Sequence, residues 1–540
     1  MSNLFTSAPK IKVGQNSVAF VSQNGQEYSP NQKIVVEVDD SVEFYDPQQS
    51  YLKFDVQIDL QSPTYSYLCQ LDPLLGGSVL LQDVKCFNRA GVLLEELPNY
   101  YTLCNIETLY SETSTNINKD GLTEGVVAYN PDQKNWNGGK YSRFTNSQFN
   151  PYFRKDEAGN CSYNKVRMCL KLKTGIMKSK TIFPNRLMGG LRWEFQLSPP
   201  ERVFKLLKNS IETDFCPRFS HVGTGAKYTG FPAGGDPTTA VFLSWENNMM
   251  TDHNRVPFCV GEQIVVDGLP ATTITGIKLT GVGDPLENFI ELTVASLTNA
   301  TGFGINAGVT VKSTSYDNNT QKPTYRVSNV EMVVEEIVVS DAYRSMMVKA
   351  LKENGKVAYN CICSQNYRHS VLASDLNATV HLNLNNSMAK SINIVPVTDQ
   401  TASIDVNIKQ MNGFRNGISG FWDVDEYQFN YDNKLQPDRP VKTTKTADQT
   451  KDIYDGQYLC ELEKGIIMAG IPSNSFEHIK HNGVISRALA LEGQIVNMIG
   501  KDAQINLTCN DTVAKSKLLN CWVTHVRKFE MTSAGVNVIF

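Results

Sequence analysis

The segment from Thr181 to Phe204 limits most strongly what this chain can fold into; it reads TIFPNRLMGGLRWEFQLSPPERVF. After a turn-rich start, bulky apolar residues alternate with polar ones from Leu191 to Ser198. A period of two with one apolar face is typical of a half-buried antiparallel strand. Pro199 and Pro200 end the pattern, because neither can donate a hydrogen bond to a neighbouring strand. We therefore predict a strand of a β-sandwich here.

Length and composition indicate a globular protein of several domains. The 540 residues suggest two or three domains, and 41% hydrophobic with 20% charged residues suffices for a large core. A net charge of −4 gives no basic field of the kind that marks nucleic-acid binders. We expect neither a transmembrane helix nor a signal peptide, since the chain has no long apolar run and its N-terminus lacks an apolar core.

Four cations point outward from a strand predicted at residues 164–173: Lys165, Arg167, Lys171 and Lys173. They could form a stripe that binds nucleic acid. Since the chain is acidic overall, a solvated or salt-bridged sheet face is the favoured interpretation. We predict no sequence-specific contact with nucleic acid.

The cysteines and histidines do not predict a metal centre or a cofactor. Most of the 12 cysteines lie singly in apolar or alternating runs, where a free thiol packs as a small hydrophobe. Cys361 and Cys363 share one face of a predicted strand but have no second pair nearby. Glu477, His478 and His481 form an E-H-x-x-H run without a third ligand. We expect packing in the first case and a polar turn in the second.

No motif in the chain indicates an enzyme. The sequence contains no nucleophile elbow, phosphate-binding loop or H-E-x-x-H zinc motif. Two carboxylate groups could supply the acid and base of a glycosidase: Glu335 with Glu336, and Asp423, Asp425 and Glu426. Neighbouring carboxylates are common in proteins, so a hydrolase is the less favoured interpretation.

Short alternating strands recur along the chain, and a sequence of strands, a helix and long loops occurs twice. This organisation predicts an all-β fold of two consecutive β-sandwiches, each of many short strands. We expect a flexible N-terminal arm over residues 1–30, a first sandwich over 31–368 and a second over 369–540. A Val/Ile/Thr-rich stretch at about 259–314 predicts a β unit inserted into the first sandwich.

Four stretches carry a family resemblance over about residues 30–540. They are FPNRLMGGLRWEFQLSPPERVF, YRVSNVEMVVEEIVVSDAYRSMMVKAL, LNLNNSMAKSINIVPV and YQFNYDNKLQPDRPV, the last resembling a strand that ends in a Pro-x-x-Pro loop. In order and spacing they resemble the double jelly-roll major capsid proteins of double-stranded DNA viruses. The nearest likeness is to the branch of Polinton-like viruses and virophages. The unit at 259–314 has no counterpart by residue in that family.

The resemblance implies a structural protein of the virion, made and assembled inside the host cell. Three copies would form a capsomer with a pseudo-sixfold outline, because each copy supplies two jelly rolls, and these trimers would tile an icosahedral capsid. Its partners would be further copies of itself, penton proteins and minor capsid proteins, with no cofactor and no catalysis. The rival of another class is a β-sandwich adhesin or receptor-binding protein of a fibre or spike.

Two aromatic-rich loops are the candidates for the trimer interface that the resemblance implies. Obligate interfaces are rich in apolar and aromatic side chains. Packing within one chain is the alternative for these aromatics, and the two interpretations have equal standing. The candidate residues are Trp136, Tyr141, Phe144, Phe149, Tyr152, Phe153, Phe414, Phe421 and Trp422.

Overall fold

A computed structural model of the chain describes most of the predicted strands. The described residues are 12–59, 68–71, 75–111, 123–126, 152–155, 161–163, 165–206, 240–244, 263–266, 270–280, 289–295, 311–313, 324–372, 375–382, 384–398, 424–443, 456–471, 484–490, 494–509 and 517–539. Within them the architecture is built from antiparallel sheets and a few short helices.

The strands of the first part of the chain are β1 (Lys12–Val21), β2 (Glu27–Tyr28), β3 (Lys33–Val38), β4 (Tyr45–Asp59), β5 (Leu68–Leu71), β6 (Leu81–Asn88), β7 (Leu93–Leu97), β8 (Tyr152–Lys155), β9 (Cys161–Tyr163), β10 (Lys165–Leu170), β11 (Leu191–Leu197), β12 (Phe204–Leu206), β13 (Ala240–Ser244), β14 (Gln263–Val266), β15 (Thr272–Thr280), β16 (Phe289–Val294), β17 (Val311–Ser313) and β18 (Thr324–Val339). Those of the second part are β19 (Lys356–Val371), β20 (Asn377–His381), β21 (Ala389–Thr398), β22 (Glu426–Tyr431), β23 (Lys434–Lys442), β24 (Ile485–Ala488), β25 (Ala503–Thr508), β26 (Lys517–Thr532) and β27 (Gly535–Ile539). The helices are a 3-10 turn (Gly76–Leu80), α1 (Tyr100–Ser111), α2 (Asn185–Met188), α3 (Pro200–Val203), α4 (Asp341–Asn354) and α5 (Gly456–Met468).

The first part of the chain contains two principal sheets and one smaller sheet. Sheet 1 has the order β1-β18-β4-β10, with β2 also paired to β18, and sheet 2 has the order β3-β11-β6-β7. Sheet 3, of order β12-β5-β8-β9, is made of strands of three or four residues. The apolar faces of sheets 1 and 2 contribute to one buried core.

Strand β11 lies in the interior of sheet 2, and the predicted strand at Leu191 is confirmed. Trp193 lies opposite Val36 of β3 and Cys86 of β6, and all three are buried. Glu194, on the other face, forms an ion pair with Lys33, in which the Lys33 Nζ lies 2.9 Å from the Glu194 Oε2. The apolar residues of the alternation are all buried, as period two requires, and Glu194 on the opposite face is buried as well but paired with Lys33.

The second part repeats the arrangement with two further sheets. Sheet 5 has the order β19-β26-β21-β24, with β27 also paired to β26, and sheet 6 has the order β20-β25-β22-β23. Helix α5 packs against β24, where its Gly465 lies so close that an added Cβ would fall 1.8 Å from the Oγ of Ser486. Two facing sheets, twice over, form the double jelly roll that the sequence predicted.

The inserted unit is a sheet of its own. Sheet 4 has the order β13-β16-β15-β14-β17, and none of its described strands pairs with a strand of another sheet. Strand β13, at 240–244, belongs to it, so the unit starts before the predicted residue 259.

The sequence predicts a helix from Asp341 to Asn354, with Ser340 or Asp341 as its cap and Gly355 at its end, and helix α4 has these bounds. The Oγ of Ser340 accepts a hydrogen bond from the Tyr343 N–H, as an N-cap residue does. Gly355 ends the helix with a φ of 66°, a left-handed conformation that favours glycine. Helix α5, in contrast, begins at Gly456 and ends at Met468, whereas the sequence predicted about 446–462.

Three predictions at the edges of the sheets differ from the structure. Within the predicted arm, β1 and β2 pair with β18, which offers an open sheet edge to them. The predicted boundary at residue 369 falls inside β19, which belongs to sheet 5 over its whole length. The Pro-x-x-Pro segment forms β23 and not a loop, because a strand at a sheet edge tolerates the missing donors of Pro437 and Pro440.

No helix in the described ranges is long and apolar enough to span a membrane.

The packing of β11 predicts a large effect of Trp193→Ala. Removing a side chain of which only 1% is exposed loses apolar burial and leaves a cavity, at a typical cost of about 3–5 kcal/mol. The control is Arg192→Ala on the next residue, whose side chain is 47% exposed and whose ion pair with Glu194 should contribute less than about 1 kcal/mol. Thermal and urea unfolding of both variants give the comparison. Equal shifts would contradict the assignment of β11 to the core.

Candidate functional site at the junction of the two sheet pairs

The two sheet pairs meet along a ribbon formed by β19 and β26. These strands of 16 residues pair without a register shift from Lys356 opposite Thr532 to Val371 opposite Lys517. Both faces of the ribbon contact the first part of the chain, at different positions along its length. Most of β26 is therefore buried on both sides.

One face of the ribbon binds helix α1 through two buried polar contacts. The Nδ2 of Asn99 donates to the Oδ1 of Asn520 at 3.0 Å. The Nε1 of Trp522 donates to the Oγ1 of Thr102 at 2.9 Å, and that hydroxyl in turn donates to the Asn99 carbonyl oxygen at 2.8 Å. Since all four side chains are buried, each hydrogen bond satisfies groups that would be costly to bury unpaired. Asn99, which directly precedes α1, therefore contributes to the junction.

The other face carries a row of aromatic rings across the junction. Tyr45 of β4 packs against Phe183 with ring centroids 5.1 Å apart. Phe183 meets Tyr359 of β19 edge-to-face at 5.2 Å, and Tyr359 stacks on Phe529 of β26 at 6.3 Å. Edge-to-face and offset-stacked pairs of this kind are the favoured geometries of aromatic rings. The row joins sheet 1 to sheet 5.

Gly175 marks the closest backbone approach between the two parts. An added Cβ would lie 2.5 Å from both the Cys363 Sγ and the Ile362 carbonyl oxygen. No residue other than glycine fits there without moving β19.

A buried carboxylate holds the loop that contains Gly175. The Oε1 of Glu95 accepts from the Gly175 N–H at 2.7 Å, and the Oε2 accepts from the Ile176 N–H at 3.4 Å. Burial raises the pKa of Glu95 above its ordinary value, and these hydrogen bonds together with the charge of Arg527 oppose that rise. Arg527 of β26 also donates from its Nη1 to the Leu94 carbonyl oxygen. Charged and polar groups here bind the loop and β7 to the ribbon.

His525 is a fully buried imidazole beside this cluster. Its Nδ1 lies 3.4 Å from the Val523 carbonyl oxygen, and no residue in the described part of the chain forms a hydrogen bond with its Nε2. Burial, and secondly the positive charge of Arg527, lower the pKa of His525 to about 3. The ring is therefore neutral near pH 7.

The cysteines predicted to share a strand face do so. The Sγ atoms of Cys361 and Cys363 lie 3.3 Å apart in the buried junction. Burial raises the pKa of Cys363 and of the nearby Cys86, which keeps these thiols protonated and unreactive. Among the residues that the structure describes, no group of three or more His, Cys, Asp or Glu side chains could hold a metal ion. The E-H-x-x-H run at 477–481 lies outside the described residues.

The candidate glycosidase carboxylates that the structure describes lie in or next to β18 and β22, and the candidate cations lie in or next to β10. Glu335 and Glu336 are consecutive in β18 and so point to opposite faces of sheet 1, which separates them as an acid/base pair. Asp425 directly precedes β22, which begins at Glu426, and Asp423 lies outside the described residues. Arg167 pairs with Asp55 at 2.8 Å, as the salt-bridged interpretation of the cations predicted.

The predicted trimer-interface aromatics cannot be placed as a surface. Seven of them, Trp136, Tyr141, Phe144, Phe149, Phe414, Phe421 and Trp422, lie outside the described residues. The backbone of Tyr152 and Phe153 forms β8 of sheet 3. Their role in an interface stays a prediction.

The sequence did not single out the junction residues, although it carried one signal for them. The run LLNCWVTHV, residues 518–526, is apolar at six of its nine positions, with apolar residues on both faces of the strand. A strand buried on both faces shows such a continuous pattern. The partners on α1 and around Gly175 lie hundreds of residues away and carry no local signal.

Comparisons with known proteins identify the architecture. No family profile matches the sequence, and no curated protein matches it. The Faustovirus major capsid protein is similar in structure: 8% sequence identity, 96% of this chain and 90% of that chain covered, and a TM-score of 0.51. A cryo-EM structure of the Sputnik virophage gives 7% identity, 98% and 89% coverage and a TM-score of 0.47. The mavirus major capsid protein is 9% identical in sequence, with 99% of this chain and 94% of that chain covered and a TM-score of 0.43.

The Faustovirus likeness, with its TM-score above 0.5, shows that the chain shares a fold with a viral major capsid protein over nearly its whole length. The fold is the double jelly roll. In that fold the junction described above is the contact that fixes one roll against the other.

Because Gly175 lies so close to the backbone of β19, we predict that Gly175→Ala destabilises the contact between the two parts of the chain. Adding atoms to a filled site typically lowers the free energy of unfolding by about 1–3 kcal/mol. The matched control is Gly456→Ala at the start of α5, where an added Cβ meets nothing within 4 Å. That change should be neutral or stabilise by up to about 1 kcal/mol. Thermal unfolding and limited proteolysis measure both, and equal stability of the two variants would argue against a close junction.

Because His525 is buried in its neutral form, we predict that the folded protein loses stability in acid. Its folded pKa of about 3 lies below the ordinary 6.5, so the unfolded state takes up the proton first as the pH falls. Stability is unaffected above pH 6.5 and is lost towards pH 3 at up to about 1.4 kcal/mol per pH unit. His525→Leu should flatten this dependence between pH 7.5 and 4.5 in unfolding experiments. His381→Gln, at an exposed histidine, should leave it unchanged.

Proposed function

We propose that this chain is a major capsid protein that builds the shell of a virus. The observation that carries the proposal is the shared fold, which extends over 96% of this chain and 90% of the Faustovirus major capsid protein. Two rolls in one chain, fixed by a buried junction, form a rigid building unit. A shell subunit needs this rigidity more than it needs a reactive site.

The capsomer that we propose is a homotrimer with a pseudo-sixfold outline. We assign the first roll to sheets 1 and 2, with sheet 4 as an insertion, and the second roll to sheets 5 and 6. Three chains then supply six rolls around one axis. The aromatic loops near Trp136 and Trp422 are the proposed contacts between chains. Such trimers tile an icosahedral capsid together with penton and minor capsid proteins.

The proposed role is structural and not catalytic. The buried polar groups of the junction, such as Glu95 and Arg527, are engaged with backbone groups of the same chain. The chain would reside in the virion after synthesis in the host cell. Its placement in the branch of Polinton-like viruses and virophages depends on the four sequence stretches alone.

The proposal is tested by measuring the solution mass of the purified full-length chain by light scattering, with negative-stain imaging of the same sample. We expect a stable species of three chains with a hexagonal outline, or closed shells. A clean monomer at micromolar concentration, with no assembly across salt and pH, would overturn the capsid function. That outcome would favour the adhesin alternative.

The aromatic loops give a variant for the same measurement. Trp422→Glu should shift the mass from three chains towards one, because a charge in a desolvated interface core is costly. The control is Ile467→Glu on α5, where the replaced side chain is 47% exposed in a single chain. A trimer unchanged by Trp422→Glu would remove this loop from the interface.

A further inference from the structure

Sheets 1 and 5 occupy the same place in the two rolls. Sheets 1 and 2 are built around eight strands, β1, β3, β4, β6, β7, β10, β11 and β18, and sheets 5 and 6 around β19 to β26. Counted along the chain, sheet 1 and sheet 5 each contain the first, eighth, third and sixth of these strands in that spatial order. The eighth strand, β18 in one roll and β26 in the other, has 16 residues in both. The environments of the two sheets can therefore be compared strand by strand.

The outer face of sheet 5 is covered by the first roll. Trp522 of β26, Asn393 of β21 and Ser486 of β24 lie in one register row, and helix α5 packs on this row through Gly465. Helix α1 of the first roll binds the same face through Trp522 and Asn520, each of which is 1% exposed. Since two helices lie on this face, it points away from sheet 6.

The corresponding face of sheet 1 is open. Val18 and Phe20 of β1 pack against the core, so the alternate residues Ser17, Ala19 and Val21 point outward. All three are exposed, and Val21, at 65%, is among the most exposed large hydrophobic residues that the structure describes. None of the outward residues from 13 to 21 is charged. The strip is thus an uncharged, partly apolar surface without a cover from the described part of its own chain.

Charged residues border this strip and are paired with one another. The Nζ of Lys53 lies 2.6 Å from the Oε2 of Glu331, and Arg167 pairs with Asp55 at 2.8 Å. An uncharged centre beside a rim of polar and paired groups is the usual anatomy of a contact between proteins. The face therefore suits a protein partner better than a charged ligand.

We propose that the second roll of another copy of this chain covers the outer face of sheet 1, as the first roll covers the outer face of sheet 5 within each chain. This inference rests on the proposed trimer and names one of its contact surfaces. The contact joins different surfaces of two copies, and three such head-to-tail contacts close a ring. Ser17, Ala19 and Val21 become buried in each of them.

Ala19→Glu in the full-length chain tests the contact. A charge in a desolvated contact is costly, so the mass by light scattering at micromolar concentration should fall from three chains towards one. The matched control is Ala342→Glu, also at an exposed alanine, because the first turn of helix α4 favours an acidic side chain. Thermal unfolding of both variants checks that the fold is retained. Folded Ala19→Glu trimers as stable as those of the unmodified chain would overturn the proposal.

Thiol labelling gives a second measurement that introduces no charge. In a Cys460→Ser background, which removes an exposed thiol, Ala19→Cys and Val348→Cys are each treated with N-ethylmaleimide and the labelled peptides are identified by mass spectrometry. Both positions are exposed in a single chain. In the assembled species, labelling at residue 19 should be about ten-fold slower than at residue 348, because a packed interface excludes the reagent. In urea the two rates should be equal. Equal rates in the folded trimer would contradict the contact.

The proposed capsomer and the proposed contact fail in different ways. An unmodified chain that stays a monomer would overturn the capsomer and this contact with it. A trimer in which residue 19 reacts as fast as residue 348 would overturn the contact alone and leave the capsomer intact.

Discussion

The pairing of β19 with β26 is the interaction on which the rest of the structure depends. Two strands of 16 residues in unbroken register span about 50 Å at the rise of an extended chain. That length exceeds the strands of sheet 6, which have five to nine residues, so the ribbon extends beyond that sheet. Arg527 and Tyr359 of the ribbon contact the first part of the chain. A shorter or slipped ribbon would remove the aromatic row and the polar contacts together, because a shift of one residue exchanges the two faces.

The junction combines apolar burial, which is not directional, with a few groups that fix the geometry. The rings of Phe183 and Tyr359 would tolerate small displacements, but the hydrogen bond of Asn99 to Asn520 and that of Trp522 to Thr102 would not. Buried polar groups are costly when unpaired, so these contacts favour one relative orientation of the rolls over others. Gly175 adds a steric limit. The capsid function that we propose requires such a unique orientation, because an angular error between rolls would be repeated in every copy.

Charged side chains on the sheet surfaces form ion pairs with one another, whereas the charged groups at the junction bind backbone groups. Sheet 2 is covered by ion pairs such as Lys33 with Glu194, and sheet 1 by Arg167 with Asp55. Pairs of this kind add little to stability but keep a sheet face solvated and unattractive to other strands.

The sequence by itself determined the strands with one buried face, such as β11, and the helix α4, whose caps Ser340 and Gly355 are local signals. It also determined the repeated order of elements, which predicted two β-sandwiches, and the four stretches whose resemblance implied the double jelly roll. Only the tertiary structure decided that β1 is a sheet strand, that β19 pairs with β26 and that Asn99, Gly175 and Trp522 form the junction. The reason is that alternation reports which side of a strand is buried but not which partner covers it. Contacts between residues hundreds of positions apart, as between Asn99 and Asn520, leave no trace in the local pattern.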